Sequence, residues 1–147
     1  MELLIVVSII GIIVGVSSPS VSAGLDSLRL NSAADQLVSL LNGALNRAER
    51  LQQPVELVIT PRQNKVQMFT NDPHFTRELE LPEGVTIEAV LPKLPEQSEV
   101  EPVRIVVMPG ATAPGIGIQI VNQRGSRRIV RVDPITGFPR VESVVTK

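Results

Sequence analysis

The pattern of hydrophobic and polar positions divides the chain into three parts, and the first is hydrophobic on every side. Between Leu3 and Leu25 there is no charged side chain, and most positions are Leu, Ile or Val. As a helix, these 23 residues would span roughly 34 Å, enough to cross a hydrocarbon core of about 30 Å. Residues 1–25 are therefore predicted to be the hydrophobic, membrane-spanning half of an N-terminal helix.

The second part, residues 26–53, is predicted to be the one-sided continuation of the same helix. Its small and apolar residues recur at spacings of three and four, the period of an amphipathic helix. They are Leu30, Ala33, Ala34, Leu37, Leu40, Leu41, Ala44, Leu45, Ala48 and Leu51. Pro54 disfavours helical backbone in the residue before it, so we expect the helix to end near Gln53.

The third part, residues 54–147, has the short apolar runs and turn residues of β-structure. We predict strands over 55–60, 66–70, 77–81, 85–90, 103–108, 116–121, 127–132 and 138–145, with a solvated loop over 91–102. The segment 122–125, Asn-Gln-Arg-Gly, has the composition of a hairpin turn. The predicted fold class is α+β: one long N-terminal helix packed on an antiparallel, two-layered β domain.

Pro19 is the main irregularity in the hydrophobic part. Proline removes an amide donor and clashes with the preceding helical turn, so we predict a kink or local melting over residues 16–20. Gly11 and Gly15 are four residues apart, a spacing that lets two helices approach closely. Glycine is also common in membrane helices for other reasons, and the spacing alone does not choose between the two.

The composition offers little to a catalytic site. There is no cysteine, and His74 is the single histidine, in a segment between Pro73 and Phe75. We interpret His74 as an ordinary loop residue, and we expect no catalytic residues, no cofactor and no resident metal. Calcium binding by the acidic loop that contains Glu96, Glu99 and Glu101 is a minor alternative. With three Phe and no Trp or Tyr, the core must be built from Val, Ile and Leu.

The charges are unevenly distributed although the net charge is −1. Residues 72–101 are acidic, and residues 122–147 are basic. The basic cluster consists of Arg124, Arg127, Arg128, Arg131 and Arg140. If Arg127 and Arg131 share one face of a strand and Arg140 lies on its partner, they form a positive stripe that could bind phosphates. The alternatives are a solvated rim, or a surface that pairs with acids such as those of residues 78–101.

Three stretches carry a family resemblance. Glu2 followed by LLIVVSIIGIIVGV, and then Pro19, resembles the N-terminal helix of type IV pilins and type II secretion pseudopilins. The stretch 28–59 is similar to the minor pseudopilin H of type II secretion and to FimT-type minor pilins. The Gly-Phe-Pro-Arg-Val of 137–141 resembles the closing strand of that group.

The resemblance implies a pilin-like, non-enzymatic subunit of a type II secretion pseudopilus. Such a subunit is anchored in the bacterial inner membrane by one helix and keeps its C-terminal domain in the periplasm. Its expected partners are other pseudopilins, the exported cargo or the secretin. The glutamate that matches Glu2 pairs with the amino terminus of a neighbouring subunit. Family members have a cleaved leader and a methylated first residue; because Met1 directly precedes Glu2, we expect both to be missing from this sequence.

Three other interpretations stay open. The first is a FimT-like minor pilin of a type IV pilus that binds DNA through its basic C-terminal region. The second is a simple transmembrane anchor. The third is a secretory signal peptide, since the Val-Ser-Ala of residues 21–23 resembles a cleavage site, although an acid rather than a base precedes the apolar run.

Overall fold

In a computed structural model, residues 2–93 and 101–145 are described, except for the side chains of residues 18–20. Helix α1 is continuous from Glu2 to Leu51. It ends because Gln52 takes a left-handed conformation, with φ of 51°, and Pro54 follows. The end therefore falls two residues before the predicted position. The backbone is helical across Pro19, so the local melting considered for residues 16–20 is wrong, and the kink predicted there stays a prediction.

Eight strands follow the helix. They are β1 (Val55–Thr60), β2 (Lys65–Phe69), β3 (Thr76–Glu80), β4 (Val85–Leu91), β5 (Val103–Val107), β6 (Gly117–Asn122), β7 (Arg127–Val132) and β8 (Pro139–Val144). All eight predicted strands are present, and their ends agree within one residue. Within the predicted loop 91–102, residues 94–100 lie outside the described part of the chain.

The strands form two four-stranded sheets in which every neighbouring pair is antiparallel. The first sheet has the order β3-β2-β1-β5, and the second has the order β4-β6-β7-β8. The chain builds β1 to β3, crosses to β4, returns to add β5 beside β1, and then completes the second sheet. This arrangement confirms the predicted α+β fold with a long helix on a two-layered β domain.

The core lies between the helix and the two sheets. The buried face of α1 repeats every three or four residues, as the sequence predicted. Its buried members are Leu30, Ala33, Ala34, Leu37, Leu40, Leu41, Ala44 and Ala48. Alternate residues of the strands point inward against them, among them Leu57 and Ile59 of the first sheet and Ile118 and Val130 of the second.

Asn64 joins the two sheets. Its φ of 50° places it in the left-handed region, which asparagine tolerates better than most residues. Its side-chain Oδ1 accepts a hydrogen bond from the Ile87 amide at 3.0 Å, and its carbonyl accepts one from the Leu81 amide at 2.9 Å. The turn between β1 and β2 is thereby held against the start of β4.

Candidate assembly surface and arginine row

The N-terminal half of α1 projects its apolar side chains into open space. Exposed fractions run from 77% at Leu3 to 47% at Leu25, and none of the Leu, Ile and Val side chains described before Leu25 is buried. The helix is long and apolar enough to cross a membrane by length and composition, a test that a signal sequence near the N-terminus also passes.

Glu2 stands at the exposed tip of this half, in the first turn of the helix. A carboxylate there interacts favourably with the helix dipole, because the first amides of a helix have no intrahelical acceptor. That interaction gives Glu2 a local role in addition to the predicted one. Its pairing with another subunit stays a prediction.

An ion pair marks the place where the apolar half ends. Asp26, the first charged residue after Glu2, accepts a hydrogen bond from Arg124 Nε at its Oδ2, at 3.0 Å. Arg124 Nη2 also donates to Ser22 Oγ, at 3.1 Å. The two acceptors lie one helical turn apart, so a single guanidinium spans that turn. The contact ties the β6–β7 turn to the helix at the boundary between its halves.

The β6–β7 turn is built to hold Arg124 in this position. Asn122 is buried, and its Oδ1 accepts hydrogen bonds from the amides of Arg124 at 3.0 Å and Ser126 at 2.9 Å. Gly125 has φ of 82° and donates its amide to the Asn122 carbonyl at 3.0 Å. Because L-residues rarely adopt that φ, glycine suits the position, and the hairpin predicted from residues 122–125 is confirmed.

The other predicted arginines lie on strands β7 and β8. Arg127 and Arg131 are four residues apart on β7 and therefore point to the same face. Arg140 of β8 stands directly opposite Arg131. The stripe considered from the sequence is therefore present, on the outer face of the second sheet. Arg128 points to the other face, and its Nη1 donates to the carbonyl of Arg127 at 3.1 Å.

Acidic side chains accompany four of the five arginines. Arg127 makes two parallel hydrogen bonds to Glu88, from Nε at 2.7 Å and from Nη2 at 2.9 Å. This guanidinium, with a further hydrogen bond from Gln119, lowers the pKa of Glu88. Arg124 has Asp26 as its partner. The acid-paired surface weighed from the sequence is thus found for Glu88, one of the acids of residues 78–101.

The remaining two ion pairs are longer. Arg131 Nε lies 3.8 Å from Glu142 Oε2, and Arg140 Nη2 lies 3.8 Å from Asp133 Oδ2. Asp133 is held mainly by the turn that follows it, where its Oδ1 accepts the Ile135 amide at 2.8 Å. That hydrogen bond is the main cause of the lowered pKa of Asp133. Spacing along the chain gives no sign of the Asp26 and Glu88 pairings, because 98 and 39 residues separate the partners.

A cleft of about 390 Å³ lies between the end of α1, the β5–β6 loop and the β7–β8 turn. Leu45, Met108 and Ile135 contribute apolar walls, and Ile135 is 93% exposed. Glu49 Oε1 accepts the Gly110 amide at 2.8 Å, which fastens the β5–β6 loop to the helix. The hydrophobic pattern did not predict this cleft; Ile135, an exposed isoleucine in the turn between β7 and β8, was the signal that could have indicated it.

The other candidates for chemistry are dispersed. His74 has its backbone amide bonded to Asp72 Oδ1 at 3.0 Å, which is an ordinary turn contact. Across residues 2–93 and 101–145, no group of three or more His, Cys, Asp or Glu side chains is arranged to hold a metal ion. Of the acids considered for calcium, Glu96 and Glu99 lie outside the described residues, and Glu101 is exposed.

Comparison of this chain with protein-family models, with curated proteins and with solved structures finds no match.

Proposed function

We propose that this protein is a structural, non-enzymatic subunit of a membrane-anchored filament, of the type II secretion minor pseudopilin H kind. Its helix would sit in the bacterial inner membrane, with the β domain in the periplasm. The observation that carries the proposal is the division of α1 into a half that is buried by its own domain and a half that the described domain leaves uncovered.

The exposed half needs an apolar environment. Burying one large aliphatic side chain is worth about 1.5–3 kcal/mol, so the whole half represents on the order of tens of kcal/mol in water. Lipid satisfies this requirement before assembly, and the helices of neighbouring subunits satisfy it afterwards. A helix that is hydrophobic on all sides suits both surroundings, whereas the one-sided helix of residues 26–51 would not.

Glu2 would direct the assembly step. A carboxylate in a low-dielectric helix bundle is unstable without a cation, and the amino terminus of another subunit is a suitable one. The β domain would then contact neighbouring pseudopilins, the secretin or the exported cargo. The family resemblance of residues 2–59 supports this assignment, and the long helix on antiparallel sheets is the fold that the resemblance implies.

The assembly experiment compares Glu2→Ala with Glu83→Ala, an acid on the β domain, in the full chain with its secretion machinery. A cysteine introduced at Val14 would report helix–helix contact, because the chain has no native cysteine. We expect Glu2→Ala to reduce cross-linking between subunits severalfold and Glu83→Ala to leave it unchanged. Equal cross-linking in both variants would remove Glu2 from the mechanism.

A DNA-capturing minor pilin is the second candidate, and the arginine stripe is the feature that favours it. Its weakness is that Arg127 and Arg131 have acidic partners of their own. We therefore expect the full chain in micelles to show no salt-sensitive retardation of duplex DNA. Retardation that Arg127→Ala combined with Arg131→Ala abolishes, while Arg62→Ala leaves it intact, would favour the DNA-binding function instead.

A further inference from the structure

Strand β8 presents an open edge of the second sheet. The Asp133 amide donates to the Phe138 carbonyl at 3.1 Å, so the backbone polar groups of Phe138 face β7. Backbone groups alternate in direction along a strand, and those of Arg140 and Glu142 therefore also face β7. Those of Pro139, Val141 and Ser143 face away from the sheet. Among residues 2–93 and 101–145, no strand pairs with that side of β8.

The edge at the opposite end of the same sheet is protected. On β4, the register shifts between Ile87 and Ala89, and the Ile87 amide is taken by Asn64 Oδ1. A bulge and a capped amide are devices that prevent a strand edge from pairing with another chain. On β8 the register with β7 is regular from Pro139 to Val144, which leaves a straight edge.

The side chains of β8 are complementary to a second copy of β8. An antiparallel pairing centred on Val141 places Arg140 opposite Glu142 of the other copy, and Glu142 opposite its Arg140. The same register sets Phe138 opposite Val144 and Pro139 opposite Ser143. We propose that two copies of this chain join their second sheets by antiparallel pairing of β8 about Val141, in a two-fold symmetric interface.

The backbone chemistry agrees with that register. Val141 would exchange two hydrogen bonds with Val141 of the other copy, because its amide and carbonyl face outward. The Ser143 amide of each copy would donate to the Pro139 carbonyl of the other. Pro139 has no amide hydrogen to donate. It faces the other copy at the end of the paired segment, where only its carbonyl takes part. The interface would thus contain four backbone hydrogen bonds by this count.

The proposed pairing would bring opposite charges together on the outer face of the sheet. Within one chain, Arg131 and Arg140 stand directly opposite each other, and like charges in that arrangement are unfavourable. Their acidic contacts are long, at 3.8 Å each, and the Arg140 and Glu142 side chains are 64% and 52% exposed. A second β8 would place a carboxylate beside Arg140 on its free side. Across the joined sheets, Arg140 would then lie between Arg131 of its own chain and Glu142 of the other copy.

Apolar side chains along the edge would also be covered. Phe138 is 65% exposed and Val141 is 41% exposed in the single chain. Phe138 lies on the outer face with Arg140, so the partner's Val144 would meet it there. Val141 lies on the inner face, where the two copies of this residue would touch. This interface stands on the geometry of β8 and does not depend on the proposed secretion function.

Cysteine cross-linking of the full chain in micelles tests the register. Arg140 and Glu142 would form a non-hydrogen-bonded pair with Cα atoms about 4.5 Å apart, within the range that disulfides bridge. We expect mild oxidation of a mixture of Arg140→Cys and Glu142→Cys chains to give heterodimers at least about fivefold more abundant than the homodimers. In the mixed dimer the second arginine–glutamate pair remains intact. Random association, as contact through the helices would give, produces about twice as much heterodimer as either homodimer, and a yield at that ratio would overturn the proposal.

Reversing the charge of residue 142 tests whether the pairs between Arg140 and Glu142 stabilise the dimer. We expect Glu142→Arg to raise the dimer dissociation constant by about tenfold or more in sedimentation of the full chain. The double variant Arg140→Glu with Glu142→Arg restores both opposite-charge pairs and should return the constant to near the wild-type value. Arg104→Glu, on the edge strand of the first sheet, is the matched control and should leave the dimer dissociation constant unchanged. Dimerisation of Glu142→Arg as strong as that of the wild type would refute the β8 interface.

Discussion

The two halves of α1 share one backbone and differ in what surrounds them. Leu4 is 69% exposed, whereas Leu37 is fully buried against the sheets. The difference follows from the pattern. Apolar residues on all sides leave no polar face for water, whereas the one-sided pattern has an apolar face that the sheets cover and a polar face that water can solvate. One helix can therefore belong to two solvents, provided that the change of pattern and the edge of the folded domain coincide.

A specific contact lies where the hydrophobic pattern changes and the folded domain begins. The last leucine of the uncharged run, Leu25, is followed by Asp26, and Asp26 holds Arg124 of the β6–β7 turn. Arg124 contacts the helix at both Ser22 and Asp26, ahead of the first fully buried residue of the helix at Leu30. The order of these contacts along α1 is polar first and apolar afterwards.

The largest expected difference between the halves comes from the same substitution made in each. Leu37→Ala should destabilise the β domain by about 2–5 kcal/mol, because it leaves a cavity among fully buried neighbours. Leu4→Ala should leave the stability of the domain unchanged. Native-state hydrogen exchange of the β1 amides measures both in the full chain. A comparable loss of protection in Leu4→Ala would mean that the two halves are not energetically separate.

Gly43 offers a smaller test in the stabilising direction. A methyl group there would lie 3.6 Å from Arg77 Nη1 and 4.0 Å from Met68 Cε, which is ordinary contact. Because alanine is the better helix former, Gly43→Ala should stabilise the domain by about 0.4–1 kcal/mol. Gly11→Ala is the control in the exposed half, where no atom lies within 4 Å. It should not change domain unfolding; destabilisation by Gly43→Ala would show that this helix–sheet contact is tighter than described.

The ion pair at the junction should contribute less. Asp26→Asn removes the charge that holds Arg124, and partly exposed pairs are worth about 0.2–1 kcal/mol. The expected signature is faster hydrogen exchange in the β6–β7 turn, with the β1 amides unaffected. Asp35→Asn, at an exposed position of the same helix, is the matched control. Identical exchange in the two variants would show that the turn is held without Asp26.

The smallest expected effect is an acid dependence confined to the β domain. The pKa of Glu88 is lowered by Arg127, so its contribution is present above the unfolded pKa of about 4.3 and is lost as pH falls through the lower folded value. The melting temperature of Glu88→Gln should therefore be below that of the wild type near pH 7. The difference should vanish as the pH falls below the folded pKa of Glu88. Residues 3–25 carry no titratable side chain, so their helicity in micelles should not follow this change.

The strands could be predicted because alternation is a local property. The residues of β1 and β7 alternate or cluster as half-buried strands do, and their ends agree with the predicted ones. Alternation says which face of a strand is buried but not which strand lies beside it. The return of β5 to pair with β1 depends on contacts between residues such as Val55 and Val107, and nothing in either segment announces them.

The surface arginines show the same limit: a local sequence pattern does not say which residues become neighbours in the fold. Their clustering in the last third of the chain was visible, and so was the alternation that aligns Arg127 with Arg131. Pairing with the acids of residues 78–101 was weighed, and Glu88 is one of them, but the sequence did not predict which arginine it would meet. The pairing of Arg124 with Asp26 was not predicted at all, because Asp26 lies on the helix. A charge pattern read along the chain therefore overstates a patch whenever folding brings opposite charges to it.

The unbroken course of α1 has a consequence for the direction in which its exposed side chains point. Each residue of an α-helix advances about 1.5 Å and turns about 100°, so the number of residues between Leu25 and Leu30 determines the rotation of the apolar half about its axis relative to the sheets. Inserting one residue there would rotate every side chain of that half by about 100°. Inserting seven would return them to within about 20° of their original heading, some 10 Å farther from the domain.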